Sequence, residues 1–136
     1  MDFIVKIITS LCILSSIAFG CDVNWQNSLA EAKSISAKTK KPILVFISSI
    51  TCPYCTKMSN ETFSDSKVCA AINNGFVPLA VLEGSPDMPR GIKVRGVPNI
   101  AFVDSKEKEI AARVVGFRNT NEFLSDLEQR FKGVGK

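Results

Sequence analysis

Histidine is absent from the chain. That removes imidazole as a general acid or base and excludes His-containing zinc sites. No block of Lys and Arg is longer than the pair Lys40-Lys41, and the net charge is only +4. The basic excess therefore reads as a solvated face, and nucleic acid is not an expected partner. No internal repeat or low-complexity segment is present. What remains is 136 residues, one domain's worth, with 46% hydrophobic and 22% charged residues, enough to build a core.

With imidazole missing, sulfur is the source of chemistry. Cys52-Pro53-Tyr54-Cys55 follows the apolar run Ile43-Leu44-Val45-Phe46-Ile47. A strand that leads into C-x-x-C at a helix start is how a dithiol–disulfide switch is built. A structural disulfide and half of a zinc site are the other readings of the same spacing. A closed four-cysteine zinc site would need Cys21 and Cys69, which lack pair spacing, so no metal is expected.

The N-terminus reads as a leader. Lys6 is a thin positive region, opposed by Asp2, and residues 7–19 are mostly apolar. Ala18 and Gly20 place small residues before a cut ahead of Cys21, the pattern of a secretory signal in residues 1–20. The apolar stretch is short for a membrane span, although an uncleaved anchor is the alternative. Small residues followed by Cys21 also resemble the bacterial lipoprotein signal, with Ala18 where that pattern prefers Leu. Cys21 is thus expected to carry either a free thiol or a lipid anchor. Residues 21–136 would form a single exported domain in an oxidising compartment, periplasmic or otherwise extracytoplasmic.

Residues 24–38 carry apolar side chains at helical spacing, with Asn24 as the expected N-cap and Trp25 as a packing residue. Residues 43–47 read as a buried central strand. A helix over residues 51–60 starts at the cysteines, with Pro53 in its tolerant first turn and Met58 packing inward. A second helix runs from Ser64 and Asp65 to Asn74 and Gly75, with Cys69 as a buried apolar residue on one face. Residues 76–82 form a strand in which Pro78 demands a sheet edge or a non-bonded position. Residues 99–103 and 109–115 pair as a hairpin, and Thr120 or Asn121 caps a last helix with Phe123, Leu124, Leu127 and Phe131 on one face. Glu61, Asp65 and Asp104 read as caps, turn residues or solvated charges. The order α-β-α-α-β-β-β-α predicts an α/β fold, a central sheet with helices on both faces.

These residues together resemble the thioredoxin superfamily. The carriers are Lys41-Pro42-Ile43, Cys52-Pro53-Tyr54-Cys55-Thr56-Lys57-Met58, Thr62-Phe63-Ser64-Asp65, Val94-Arg95-Gly96-Val97-Pro98 and Val115-Gly116-Phe117. Within the superfamily the chain is similar to exported thioredoxin-like domains such as the C-terminal domain of DsbD, over residues 25–131. The resemblance implies a thioredoxin-like mixed sheet of about four strands and a cis Pro98 facing a Cys52–Cys55 redox disulfide. Departures are also visible. Thr51 stands where the family usually has Trp, Phe46 where many members have a buried proton-relaying Asp, and Asn99 where Thr usually follows the cis proline. Pro53-Tyr54 is the glutaredoxin-like dipeptide, without a glutathione-binding pattern.

The resemblance implies an enzyme, an exported thiol–disulfide oxidoreductase that reduces partner disulfides or relays electrons to them. Cys52 is the expected nucleophile, favoured as a thiolate by the helix end and by Lys57, and Cys55 the resolving thiol. Val97, Pro98 and Tyr54 are the expected substrate-binding residues, with the Val97 backbone pairing with an extended substrate segment. No cofactor is implied. The implied partners are cysteine-containing exported proteins and a membrane or periplasmic redox protein, and the chain is expected to be a monomer. A disulfide-forming oxidase and a non-catalytic thioredoxin-like binding module with a structural disulfide are the alternatives.

Overall fold

The computed structural model describes residues 20–133. The leader reading, residues 1–20, therefore lies outside the described residues except for Gly20.

The fold is organised by β1 (Ile43–Ser48), whose residues 43–47 are all buried. A five-residue apolar run can be buried on both faces only in the middle of a sheet that is covered on both sides. The other strands are β2 (Val77–Leu82), β3 (Asn99–Val103) and β4 (Glu109–Val115), in the order β2-β1-β3-β4. β1 runs parallel to β2 and antiparallel to β3, and β3 is antiparallel to β4. This is the mixed four-stranded thioredoxin-like sheet expected from the sequence.

Alternation along β1 sorts its side chains between two cores. Ile43, Val45 and Ile47 pack on one face with Leu29 and Ala32 of α1 (Leu29–Thr39) and with Met88, Ile92 and Val94 of the β2–β3 loop. Leu44 and Phe46 pack on the other face, under α2 (Pro53–Lys57), α3 (Ser66–Gly75) and α4 (Thr120–Arg130). Between α2 and α3 the chain makes a π-helical turn, Met58–Thr62, closed by Phe63 N–H donating to the Met58 carbonyl at 3.0 Å. The wider turn buries both Met58 and Thr62, and the Thr62 hydroxyl donates to the Arg118 carbonyl at 2.6 Å.

Three helix boundaries differ from the sequence reading. α1 starts at Leu29 and not near Asn24, because the Ser28 hydroxyl caps it by accepting from Glu31 N–H. Residues ahead of it are extended instead, with Gln26 N–H donating to the Pro78 carbonyl at 2.9 Å. The expected helix over residues 51–60 divides into α2 and the π-helical turn. α4 is capped by Asn119, one residue before Thr120, in a reciprocal capping box with Glu122. Asp65 and Asp104 fall as expected, the first capping α3 and the second organising the β3–β4 turn by accepting from Lys106 and Lys108 N–H.

Both sheet edges are guarded. Pro78 lies on the edge strand β2, where its missing N–H faces away from the ladder. On β4, Arg130 of α4 donates to the carbonyls of Ala112 and Arg113 at 2.6 and 3.1 Å.

The long β2–β3 connection is fastened by charge. Asp87 accepts from Leu29 N–H at 3.0 Å. Glu107, in the β3–β4 turn at φ 68°, is only 7% exposed and accepts from Lys33 Nζ at 2.8 Å, Arg90 N–H at 3.0 Å and the Arg90 guanidinium at 3.3 Å. The hydrogen bond from Lys33, helped by the Arg90 backbone, holds the Glu107 carboxyl down at about 2, against an ordinary value of 4.5. A carboxyl depressed on folding stabilises the native state above its unfolded value. That contribution is lost as pH falls from about 4.5 towards about 2. We expect Glu107→Gln to destabilise the protein at pH 7 by about 2–3 kcal/mol. Urea unfolding across pH should show the gap from wild type closing as pH falls below 4.5, the unshifted value of the carboxyl.

Candidate active site

β1 ends at Ser48, and the chain turns through residues 49–51 to place Cys52 at the head of α2. Cys52 is the N-cap, in extended backbone, and its Sγ accepts from Cys55 N–H at 3.1 Å. Pro53 occupies the first helical position, where its lack of an N–H costs nothing. One turn of helix then brings the Cα atoms of Cys52 and Cys55 to 5.2 Å, and the two sulfurs are joined as a disulfide. The environments of the two are unequal. Cys52 is half-buried, while Cys55 is 3% exposed and sits inside the aromatic core with Phe46, Met58 and Phe63.

The remaining expected site residues gather near this pair. The Val97–Pro98 peptide bond is cis, as the resemblance implied. Pro98 is buried, and Val97 is partly buried against the same core as Cys52. Among the described residues the Val97 N–H and carbonyl make no backbone hydrogen bond. Asn99, directly after Pro98, is 2% exposed, and its amide donates to the Gly96 carbonyl at 3.4 Å, tying down the approach to the cis bond. Its Oδ1 is buried without a partner among the described residues. Tyr54 is 62% exposed and stands on the rim.

Phe117 was not assigned a role from the sequence, yet it joins the rim. Its ring centroid is 6.2 Å from that of Tyr54, and Lys57 Nζ lies 4.8 Å above it. The cation–π contact holds the Lys57 charge on the α2 face beside Tyr54. Gly116, at φ 88°, makes the turn that presents Phe117 at the end of β4. That glycine followed by an aromatic residue was the available signal. Ile50, 87% exposed, adds a further apolar side chain in the turn leading to Cys52.

Beneath the pair, Phe46 is 5% exposed and its ring meets Phe63 edge-on at 4.9 Å. An apolar ring at this point can neither take nor give a proton, so no carboxylate of β1 serves Cys55. Trp25 meets Phe46 at 6.0 Å and Phe63 at 5.4 Å, and Phe63 meets Phe123 at 5.7 Å. Trp25, Phe46, Ser48, Ser59 and Leu82 line a groove of about 250 Å³ beside this stack.

The structure corrects the expectations for the other two described cysteines. Cys69 is fully buried on α3, but it is not merely a packing residue: it forms a disulfide with Cys21, with Cα atoms 5.9 Å apart. Cys21 is therefore not a free thiol. A sulfur in a disulfide also has no valence for the thioether of a lipid anchor, so the pairing and the lipidation of Cys21 exclude one another in any one molecule. Nothing in the neighbouring residues signals a bond spanning 48 residues.

Comparison with known proteins agrees with this arrangement. The thioredoxin-like domain family matches residues 29–131. The thiol:disulfide interchange protein DsbD of Yersinia pestis (strain Pestoides F) is 30% identical over 114 residues, covering 78% of this chain and 19% of that protein. The chain thus spans about a fifth of the length of the curated relatives it matches. Among solved structures, a thioredoxin from Thermus thermophilus is 28% identical with a TM-score of 0.68, over 79% of this chain and 86% of that one. The oxidised C-terminal domain of Neisseria meningitidis DsbD shares the fold at 20% identity, with a TM-score of 0.59 over 74% of this chain and 90% of that one.

The unequal burial of the two sulfurs sets an order of reactivity. After reduction, limiting iodoacetamide should alkylate Cys52 at least about tenfold faster than Cys55 in the folded protein. Peptide mass analysis after timed quenching reads the ratio. Equal rates in the native state would contradict the sheltered position of Cys55.

Proposed function

The chain belongs to the thioredoxin-like domain family, and from that membership we propose that it is an exported thiol–disulfide oxidoreductase, working through Cys52 and Cys55 to reduce partner disulfides or relay electrons to them. The observation that carries this reading is the inequality within the pair: an outer sulfur at a helix head, hydrogen-bonded by a backbone N–H, and an inner sulfur sealed in an aromatic core.

In the reducing direction the Cys52 thiolate attacks one sulfur of a partner disulfide. A mixed disulfide forms and the partner's second sulfur leaves as a thiolate. The Cys55 N–H that reaches Cys52 Sγ stabilises negative charge on that sulfur. Cys55 then loses its proton and attacks Cys52 Sγ, which closes the Cys52–Cys55 disulfide and releases the partner's other thiolate. Two electrons have passed to the partner. Phe46 cannot accept the Cys55 proton, so water or a group on the partner takes it, and resolution is slow or partner-dependent.

The unpaired Val97 backbone and the rim of Tyr54, Phe117 and Ile50 support recognition of an extended polypeptide. Such a surface takes apolar segments with loose sequence preference. The expected partners are cysteine-containing exported proteins and a redox protein of the membrane or periplasm. The expected location is extracytoplasmic, and the expected state a monomer. The leader-like pattern of residues 1–20 supports export.

We expect the protein to catalyse insulin reduction with dithiothreitol as electron source. Cys52→Ser should lower the rate by at least about 100-fold, and Cys55→Ser should accumulate the mixed disulfide on Cys52. A Cys52–Cys55 potential below about −200 mV would support the reducing direction, and one near −120 mV the oxidising direction. A native disulfide that resists dithiothreitol, with no insulin turnover, would overturn the enzyme reading in favour of a binding module.

A further inference from the structure

Residues 21–26 run as a strap along the fold, attached at several points. The Cys21–Cys69 disulfide fixes its start to α3. One turn further along α3, the Asn73 side chain uses both ends of its amide. Its Nδ2 donates to the Asp22 carbonyl at 2.9 Å, and its Oδ1 accepts from Asn24 N–H at 2.9 Å. The same Nδ2 lies 3.5 Å from Cys69 Sγ. At the far end, Gln26 N–H donates to Pro78 of β2. Between these anchors the strap carries a single large side chain, Trp25, and the Trp25 N–H turns back to the Val23 carbonyl at 2.9 Å.

Trp25 does not simply cover an edge. Its ring meets both Phe46 and Phe63, two rings of the buried cluster that holds Cys55, and Cys52 packs on the same cluster. The seating of the strap and the floor of the reactive pair are thus one packed unit. We infer that residues 21–26 form a disulfide-locked strap, that Trp25 is a positioning residue for the Cys52–Cys55 pair, and that the Cys21–Cys69 bond keeps it seated. The inference rests on the reading of Cys52–Cys55 as a redox pair.

In the structure the floor packs on the pair in its closed, disulfide form. Loosening the strap alters the packing beneath the pair and so shifts the equilibrium between disulfide and dithiol. The lock opens only by reduction. A dithiol reductant supplies two electrons and two protons and leaves as its own disulfide. Attack falls on the sulfur of Cys21, which is half-buried, while Cys69, fully enclosed, departs as a thiolate within reach of the Asn73 amide. Two disulfides in one small domain would then have separate tasks, one exchanging electrons and the other setting how readily the first does so.

The test is a redox titration of the purified chain against dithiothreitol, with thiols alkylated at each point and each pair counted by peptide mass. Wild type is compared with Cys21→Ser/Cys69→Ala and with Trp25→Leu. We expect both variants to shift the Cys52–Cys55 equilibrium about tenfold and in the same direction, which is about 30 mV for a two-electron couple. Trp25 is the only tryptophan. Its emission should change with the state of Cys52–Cys55 in wild type and lose that dependence in the double variant. Folded variants with the wild-type equilibrium constant overturn the inference. Should neither variant fold, the wild-type signal decides, and Trp25 emission that ignores the Cys52–Cys55 state overturns it. A wild-type pair that does not exchange with dithiothreitol at all overturns the redox reading itself, an outcome distinct from an exchanging pair that is indifferent to the strap.

Discussion

The burial of β1 on both faces is the constraint from which the reactive end follows. Five successive apolar side chains admit no solvated face, so α1 and the long loop must cover one side and the three other helices the second. Because the strand is enclosed, the first point at which the chain can reach solvent is its C-terminal end. Cys52 stands there, and Phe46, two residues before the strand ends, supplies the floor on which α2 rests. The position of the outer sulfur and the dryness around the inner one thus come from the same packing decision.

Charge and apolar packing do different work in this molecule. The reactive end is built largely from rings, and its polar contacts include a backbone N–H to Cys52, the amide of Asn99 and Lys57 over the Phe117 ring. Buried ionic contacts lie instead at the β3–β4 turn, where Glu107 draws together Lys33 of α1 and Arg90 of the β2–β3 loop. That loop leads to Gly96 and the cis bond at Pro98. Ionic fastening thereby fixes the loop from its far side.

Much of this was legible in the chain because the signals were local. The continuous run of residues 43–47, the C-x-x-C with proline at the first helical position, and the turn at Asp104 each carry their structure in a few adjacent residues. The rest depended on contacts between distant segments. Residues 24–28 have helical spacing, but the pairing of Gln26 with Pro78 and the seating of Trp25 among Phe46 and Phe63 override it. Cys69 has the pattern of an ordinary helix-face residue, and only the folded path of the chain brings Cys21 to it. Glu107 looks like one charge among several in a polar turn until Lys33 and Arg90 arrive from elsewhere. The rim position of Phe117 likewise needed the end of β4 to meet α2.

The guarded edges of the sheet bear on the company such a protein would keep. A molecule that handles incompletely folded chains meets loose strands seeking hydrogen-bond partners. Proline on the outer face of β2, with its carbonyl already taken by Gln26, and the Arg130 guanidinium on the carbonyls of β4 leave those strands little to extend. Under the proposed function, contact with clients falls to the end of the domain that carries the sulfurs, and the backbone chemistry of two outer strands works against pairing along its flanks.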